Sequence, residues 1–214
     1  MRTPRTPAEL HAVQEEILAA ALAIVHEAGV RTLTMRELGR RTGMTAGHLY
    51  NFFASKEAIV LTLQLRGFAD LERALQASGS PSRTPEANAR AYLRAYVDWA
   101  LANRSRYEIM FAAGLPKYSD FRATPLEALA QEEHAASMRV AASGAAVLQS
   151  VLAHVPRKQR AEWLAAVWSL LHGAVSLEIS GNLGYLDSDA HAVVARVWAG
   201  LTPLLAKPKT RSRR

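Results

Sequence analysis

The chain contains no cysteine. That excludes disulfides, thiolate nucleophiles and cysteine-held metals, and it accords with a reducing compartment such as the cytoplasm. Long apolar runs are also missing: no segment approaches the roughly 18 uninterrupted apolar residues of a membrane span. The opening "MRTPRTPAEL" is basic but has no apolar stretch, so it does not read as a secretory signal. No window alternates apolar and polar residues long enough to argue a strand. Catalytic signatures are absent too. There is no histidine pair at metal-ligand spacing, no HExxH, no glycine-rich phosphate loop and no Gly-x-Ser-x-Gly. His134 beside Glu132 and Glu133 reads as a helical surface cluster. The expectation is a cytoplasmic protein that is not an enzyme, does not associate with membranes and needs neither cofactor nor metal.

What is present is a chain of 214 residues, 50% of them hydrophobic and dominated by Ala and Leu, enough for one large or two small domains. The net charge of +7 is unevenly placed. Arg2, Arg5, Lys207, Lys209, Arg211, Arg213 and Arg214 account for all of it, and residues 8–206 balance nineteen cations against nineteen acids. The basic ends are either solvated tails or arms that add attraction to phosphate.

Apolar residues at Leu10, Val13, Ile17, Ala21, Ile24 and Ala28 form a stripe of helical period that Gly29 terminates. Two short helices follow, then a longer one over about 55–77, ended by the turn-rich "SGSPSRTP". Further helices are expected over about 85–102, within "NRSRYEIMFAAG" (103–114, closed by Gly114), and over about 126–154, 157–182 and 189–206. The fold class is all-α, about nine helices, with an N-terminal three-helix head and a C-terminal helical bundle. The expected division is a flexible basic arm over 1–7, a head over 8–54, a bundle over 55–206 and a disordered basic tail over 207–214.

The stretch "TMRELGRRTGMTAGHLYNFFASKEA", Thr34 to Ala58, stops and restarts a helix twice. Thr34 with Glu37 three residues on reads as a capping box. Gly39 is the smallest residue where a second helix must cross, and Gly43 supplies the left-handed backbone of a sharp turn. Thr45 then caps a new helix with Met44, Leu49 and Phe52 inward. Helix, glycine turn and helix make a helix-turn-helix, whose second helix enters the major groove of duplex DNA. Of the positions not spent on the core, Ala46 and Gly47 allow close approach. His48 can bond a base edge, Tyr50 suits a phosphate, and Asn51 suits an adenine or a phosphate. Lys56, in the first turn after the Ser55 cap, opposes the helix dipole unless a phosphate sits there. Arg36, Arg40 and Arg41 add positive charge around the turn, or form a solvated face.

This stretch resembles the DNA-binding segment of TetR-family transcriptional regulators, through its Gly, Thr-x-Gly-x-Leu-Tyr, aromatic-Phe and Lys-Glu spacing over roughly residues 8–58. The resemblance implies that Thr34, Thr45, Tyr50 and Lys56 touch the DNA backbone while Ala46, Gly47 and His48 lie nearest the bases. Asn51 and Gly39 depart from the residues usual in that pattern, histidine or tyrosine and alanine respectively. More loosely, Trp168, His172, Gly173, Leu177 and Glu178 resemble a Trp, His-Gly and Leu-Glu pattern in the ligand-binding region of a TetR subgroup.

Beyond the head, Phe68, Tyr92, Tyr96, Trp99 and Tyr107 recur at helical spacing, joined by Met110, Phe111, Met138, Trp168 and His172. These form either ordinary core or the walls of a site for an apolar ligand with a few polar handles. Small residues at Ala165, Ser169, Gly173, Ser176 and Ser180 stripe one face of a helix that is apolar nearly all round. Such a helix is either central within one chain or part of a dimer seam. The family resemblance implies a four-helix dimer bundle with the last helix, which offers Val194, Val197, Trp198 and Leu201. The expected whole is a homodimer that binds a palindromic operator in double-stranded DNA and answers to an unidentified small-molecule effector. The alternative is a helical DNA-binding or partner-binding protein with no such switch.

Overall fold

A computed structural model describes residues 6–153 and 155–205, the last five by backbone alone. Arg2, Arg5, the tail over 207–214 and the side chain of Leu201 lie outside the described residues. The fold is all-α, with nine α-helices among the described residues: α1 Pro7–Ala28, α2 Met35–Thr42, α3 Ala46–Tyr50, α4 Lys56–Ala77, α5 Pro85–Ala102, α6 Arg104–Phe111, α7 Glu127–Val151, α8 Arg157–Ile179 and α9 Ala190–Leu205. Single 3-10 turns at Val30–Thr32, Tyr118–Phe121 and Asn182–Leu186 interrupt the connections. They were not expected, because one tight turn is too short to leave a period in the sequence.

Local chemistry sets the helix ends. Thr6 starts α1 with a reciprocal box: its hydroxyl accepts the Glu9 N–H at 3.3 Å and its own N–H donates to the Glu9 carboxylate at 2.7 Å. Pro7 occupies the first helical position, and Gly29 ends the helix at φ 80°. Asp189 caps α9 by accepting the Ala192 N–H at 2.7 Å. Glu178 reaches from the end of α8 to take the Ala190 N–H at 2.6 Å. A residue noted for its place in a Leu-Glu pattern thus has a structural task, orienting the start of α9.

The chain forms two compact units. One comprises residues up to Asp70 with Asn103–Met138, and the other Leu71–Ala102 with the residues from Arg139 on. The chain passes between them three times, inside α4, between α5 and α6, and inside α7. In the first unit, Ile17, Ala21 and Ile24 of α1 pack with Leu38, Leu49 and Ile59 of the following helices and with Phe53 between α3 and α4. Ile109 of α6 completes that core, fully buried. The only polar side chain among the described buried residues, Gln64, donates to the Ile109 carbonyl at 3.0 Å. This hydrogen bond holds the end of α6 against α4, where Gly67 leaves room for Met110: a Cβ there would lie 2.5 Å from the Met110 sulfur.

Within the second unit α8 packs on α5 and α9. Ala190, Val194 and Trp198, four apart, form the buried stripe of α9, and Trp198 clusters with Ala89 and Val151. The Tyr92 hydroxyl meets Ser143 at 2.7 Å, beside Gly144.

One half-buried acid sets a pH dependence. Burial pushes the Glu133 carboxyl above its ordinary 4.5, against the pull of His134 and Lys117. Between that ordinary value and the raised one the folded chain holds a proton that the unfolded chain has released. Stability from this group is therefore complete below pH 4.5 and falls as pH rises through the folded pKa. Glu133→Gln is expected to raise the melting temperature at about pH 7, with the gain vanishing near pH 4. Thermal melts at the two pH values measure the difference; an equal gain at both would remove ionisation as its cause.

Candidate nucleic-acid interface

The helix-turn-helix is built from three capped starts. Thr34 accepts the Glu37 N–H at 3.1 Å, Thr45 the His48 N–H at 3.2 Å, and Ser55 the Ala58 N–H at 3.3 Å. The expected capping box at Thr34 is only half made. The Glu37 carboxylate turns instead to Arg40, whose Nε and Nη2 donate to it at 2.9 and 2.5 Å. A charged two-point fork outcompetes one neutral backbone N–H.

Gly43 turns the chain at φ 68°, ψ 12°, the left-handed region. Gly39 meets this turn from the preceding helix: a Cβ added there would stand 2.7 Å from the Met44 carbonyl oxygen. Helix propensity alone favours alanine by up to about 1 kcal/mol. The obstacle is backbone, which cannot swing aside as a side chain can. Gly39→Ala is therefore expected to destabilise the fold by about 1–2 kcal/mol in urea unfolding, as overpacking does. A net gain would mean that the turn yields.

α3 is short. It ends at Tyr50, and the N–H of Asn51 closes it onto the His48 and Leu49 carbonyls. Leu49 faces inward, fully buried, and Phe53 follows it. Phe52 is half-buried, with the His48 ring edge-on to it at 5.3 Å and 80°. Thr45, Ala46, Gly47, Tyr50 and Asn51 are exposed, Tyr50 by 51%, and His48 is half-buried. Thr34 and Arg36 are exposed on α2, while Lys56 opens α4 half-buried. All nine residues expected at DNA therefore belong to one compact unit, seven of them at the starts of α2, α3 and α4 and two, Tyr50 and Asn51, at the end of α3. Thr34 and Arg36 share a groove of about 340 Å³ with Glu27 and Glu37. Arg41 closes the set by donating to Glu27 of α1 from Nη1 at 2.6 Å and from Nη2. Sequence reasoning missed Glu27, because fourteen residues separate it from its partner.

The residues expected at a ligand divide between the two units. Phe68, Tyr107, Met110, Phe111 and Met138 lie in the first, and Tyr92, Tyr96, Trp99, Trp168 and His172 in the second. Phe111 links Phe68, edge-on at 5.7 Å, with Tyr107, tilted at 4.8 Å. Tyr92, Tyr96 and Trp99 are buried on α5. Two of the ten stand at the surface instead: Met138 is 54% exposed and Trp168, stacked on His172 at 5.6 Å, is 50% exposed. Met138 is two residues from buried Ala136, which turns it to the opposite side of α7. None of the ten lines the groove at Thr34 or the small pocket between α4 and the Leu115–Phe121 segment.

Among the residues expected at a dimer seam, Ala165, Ser169 and Ser180 are exposed, and Gly173, Ser176 and Val197 are half-buried. Val194 and Trp198, by contrast, are buried inside the chain, Trp198 at 7% exposure. An apolar helix does not declare which of its faces turns inward. Among the described residues no three metal-ligating side chains converge, and no helix is long and apolar enough to cross a membrane.

Comparison with known proteins agrees with this geometry. Residues 17–63 match the family described as bacterial regulatory proteins, tetR family, and residues 89–201 match the tetracyclin repressor-like C-terminal domain. An uncharacterized HTH-type transcriptional regulator of Mycobacterium tuberculosis is 29% identical over 197 residues, 91% of this chain and 83% of that one. The HTH-type transcriptional repressor KstR2 of the same species is 39% identical over 66 residues, 31% and 32% of the two chains. The fold resembles a tetR-family regulatory protein from Rhodococcus RHA1, with TM-score 0.68, 18% identity and 92% and 98% of the chains covered. It also resembles a TetR-family regulator from Bordetella parapertussis, with TM-score 0.67, 14% identity and 94% and 98% covered. With a capped, glycine-turned helix pair at one end and a matched helical domain over more than half its length, this chain belongs to the TetR family of DNA-binding, non-catalytic transcriptional regulators.

Proposed function

We propose that the chain is a homodimeric, sequence-specific repressor, released from a palindromic operator by a small, largely apolar ligand. The observation that carries this reading is the outward face of α3, small at Ala46 and Gly47 and flanked by the capped starts at Thr34 and Ser55. Thr34, Arg36, Thr45, Tyr50 and Lys56 hold phosphates in this proposal. Ala46, Gly47 and His48 face the bases, and Asn51 serves either. Residues 8–54 act as the reading domain and 55–206 as the effector and dimerisation domain. The name of the repressor that matches over 66 residues supports repression.

Dimerisation follows from two-fold operators: two reading helices one DNA turn apart require two chains. The seam is the small-residue face of α8, with Trp168 and Leu177 exposed beside it. On α9 the exposed small residues Ala192, Ala195, Ala199 and Gly200 replace Val194 and Trp198 as the partner-facing set. The effector acts by population shift. It binds the form off DNA better than the form on it, since equal affinity would shift nothing. Phe68, Tyr107 and Phe111, or Tyr92, Tyr96 and Trp99, supply its apolar walls.

Selection of bound sequences from a random duplex pool tests the core of this proposal. An inverted repeat with half-sites about 10 bp apart or a multiple of that is expected. Bound duplex is then challenged with a cell metabolite extract, and release by a small-molecule fraction supports the switch. Binding indifferent to every fraction would support the alternative, a helical DNA-binding protein without one.

A further inference from the structure

We propose that Glu27 and Glu37 are specificity-determining residues: by neutralising Arg41 and Arg40 they suppress sequence-independent attraction of the reading head to DNA phosphate. The inference rests on α2 and α3 being the DNA-facing helices. It begins with charge. Residues 8–58 hold five cations, Arg31, Arg36, Arg40, Arg41 and Lys56, against six carboxylates. Apart from the basic ends of the chain, these residues exert no net long-range pull on a polyanion, whereas non-specific binding is supplied almost wholly by that pull.

Geometry shows where the charge is cancelled. Arg40 engages Glu37 through two nitrogens, and Arg41 engages Glu27 likewise. Both carboxylates border the groove that also holds Thr34 and Arg36, so their negative charge stands beside groups expected at phosphate. The Arg41 fork keeps Glu27 below the ordinary carboxylate range, and the Arg40 fork does the same for Glu37, so both stay ionised at neutral pH.

Consider either arginine approaching a phosphate. If it leaves its carboxylate, an unpaired acid remains beside a second anion. If it stays paired, it displaces little counterion. The cost in both cases is blind to base sequence, so discrimination passes to the base-facing residues of α3. Stability offers a weaker account of the pairs, because exposed ion pairs contribute little to it.

The test uses the full chain carrying Glu27→Gln and Glu37→Gln, singly and together, with a random-sequence duplex as probe. Fluorescence anisotropy is read at about 50 and 200 mM salt. The double variant is expected to bind the random duplex more tightly. Its loss of affinity across that fourfold salt range should grow by about threefold for each arginine released. Adding Arg40→Ala and Arg41→Ala should abolish both effects, which a merely structural role for the glutamates would not predict. Unchanged or weaker binding in variants that melt like the natural chain overturns the inference. If the natural chain binds duplex and the variants bind no better, this inference fails alone. If none of them binds duplex at the lowest salt, the DNA-binding reading fails with it.

Discussion

Replacing Gly173 with leucine is expected to turn the protein into a monomer and to weaken its DNA binding by about 100-fold or more. Within a single chain the first added carbon meets open space, since a Cβ at half-buried Gly173 has nothing within 4 Å outside its own helix. Leucine is also the better helix former, by somewhat under 1 kcal/mol. A loss of the dimer with an unchanged melting temperature would place the obstacle in something that approaches this face from outside. A second copy of α8 packed at 8–10 Å axis to axis has no space for four added carbons. Losing the partner converts a two-headed contact into a one-headed one, which is where the loss of affinity arises. Light scattering reads the mass and anisotropy reads the affinity. A Gly173→Leu protein that remains a dimer would move the seam to another face.

The second large effect separates phosphate contacts from base contacts. Lys56→Ala is expected to weaken binding to every duplex and to reduce the salt slope by about 0.9 for each phosphate released, twice that for a dimer. Tyr50→Ala should weaken binding uniformly, because its exposed hydroxyl suits a phosphate oxygen. His48→Ala should leave random-duplex affinity intact and erode the preference for the selected sequence by about 1–3 kcal/mol. The His48 ring stands edge-on to Phe52, which braces its orientation. Titrations of selected and scrambled duplexes across salt distinguish the three. Unchanged affinity in all of them would take α3 out of the recognition surface.

The parts of the head that can be read from sequence are those governed by neighbours a few residues away. Thr45, Gly43 and Ser55 act on groups within three positions, so hydroxyl, glycine and spacing suffice to place them. Glu37 shows the limit of that locality: its two candidate partners are equally near in sequence, and the charged one prevails. Ile109 and Glu27 were invisible for the opposite reason. Each finds its place through tertiary packing, Ile109 against α4 and Glu27 against α2, and no local pattern records such a meeting. Val194 and Trp198, expected at a partner, lie buried within the chain, because an apolar stripe reports that burial occurs without naming the surface that buries it.

The membership of Ile109 in the head's core bears on how proteins of this kind are recombined. A chimera spliced after residue 54 would carry the recognition helices away from the segment that fills their hydrophobic centre. The transplant would have a methyl-lined void where Ile109 sat and would lack both partners of the Gln64 hydrogen bond. A graft that behaves must import residues 103–138 along with the front of the chain, which makes the recognition module discontinuous in the gene.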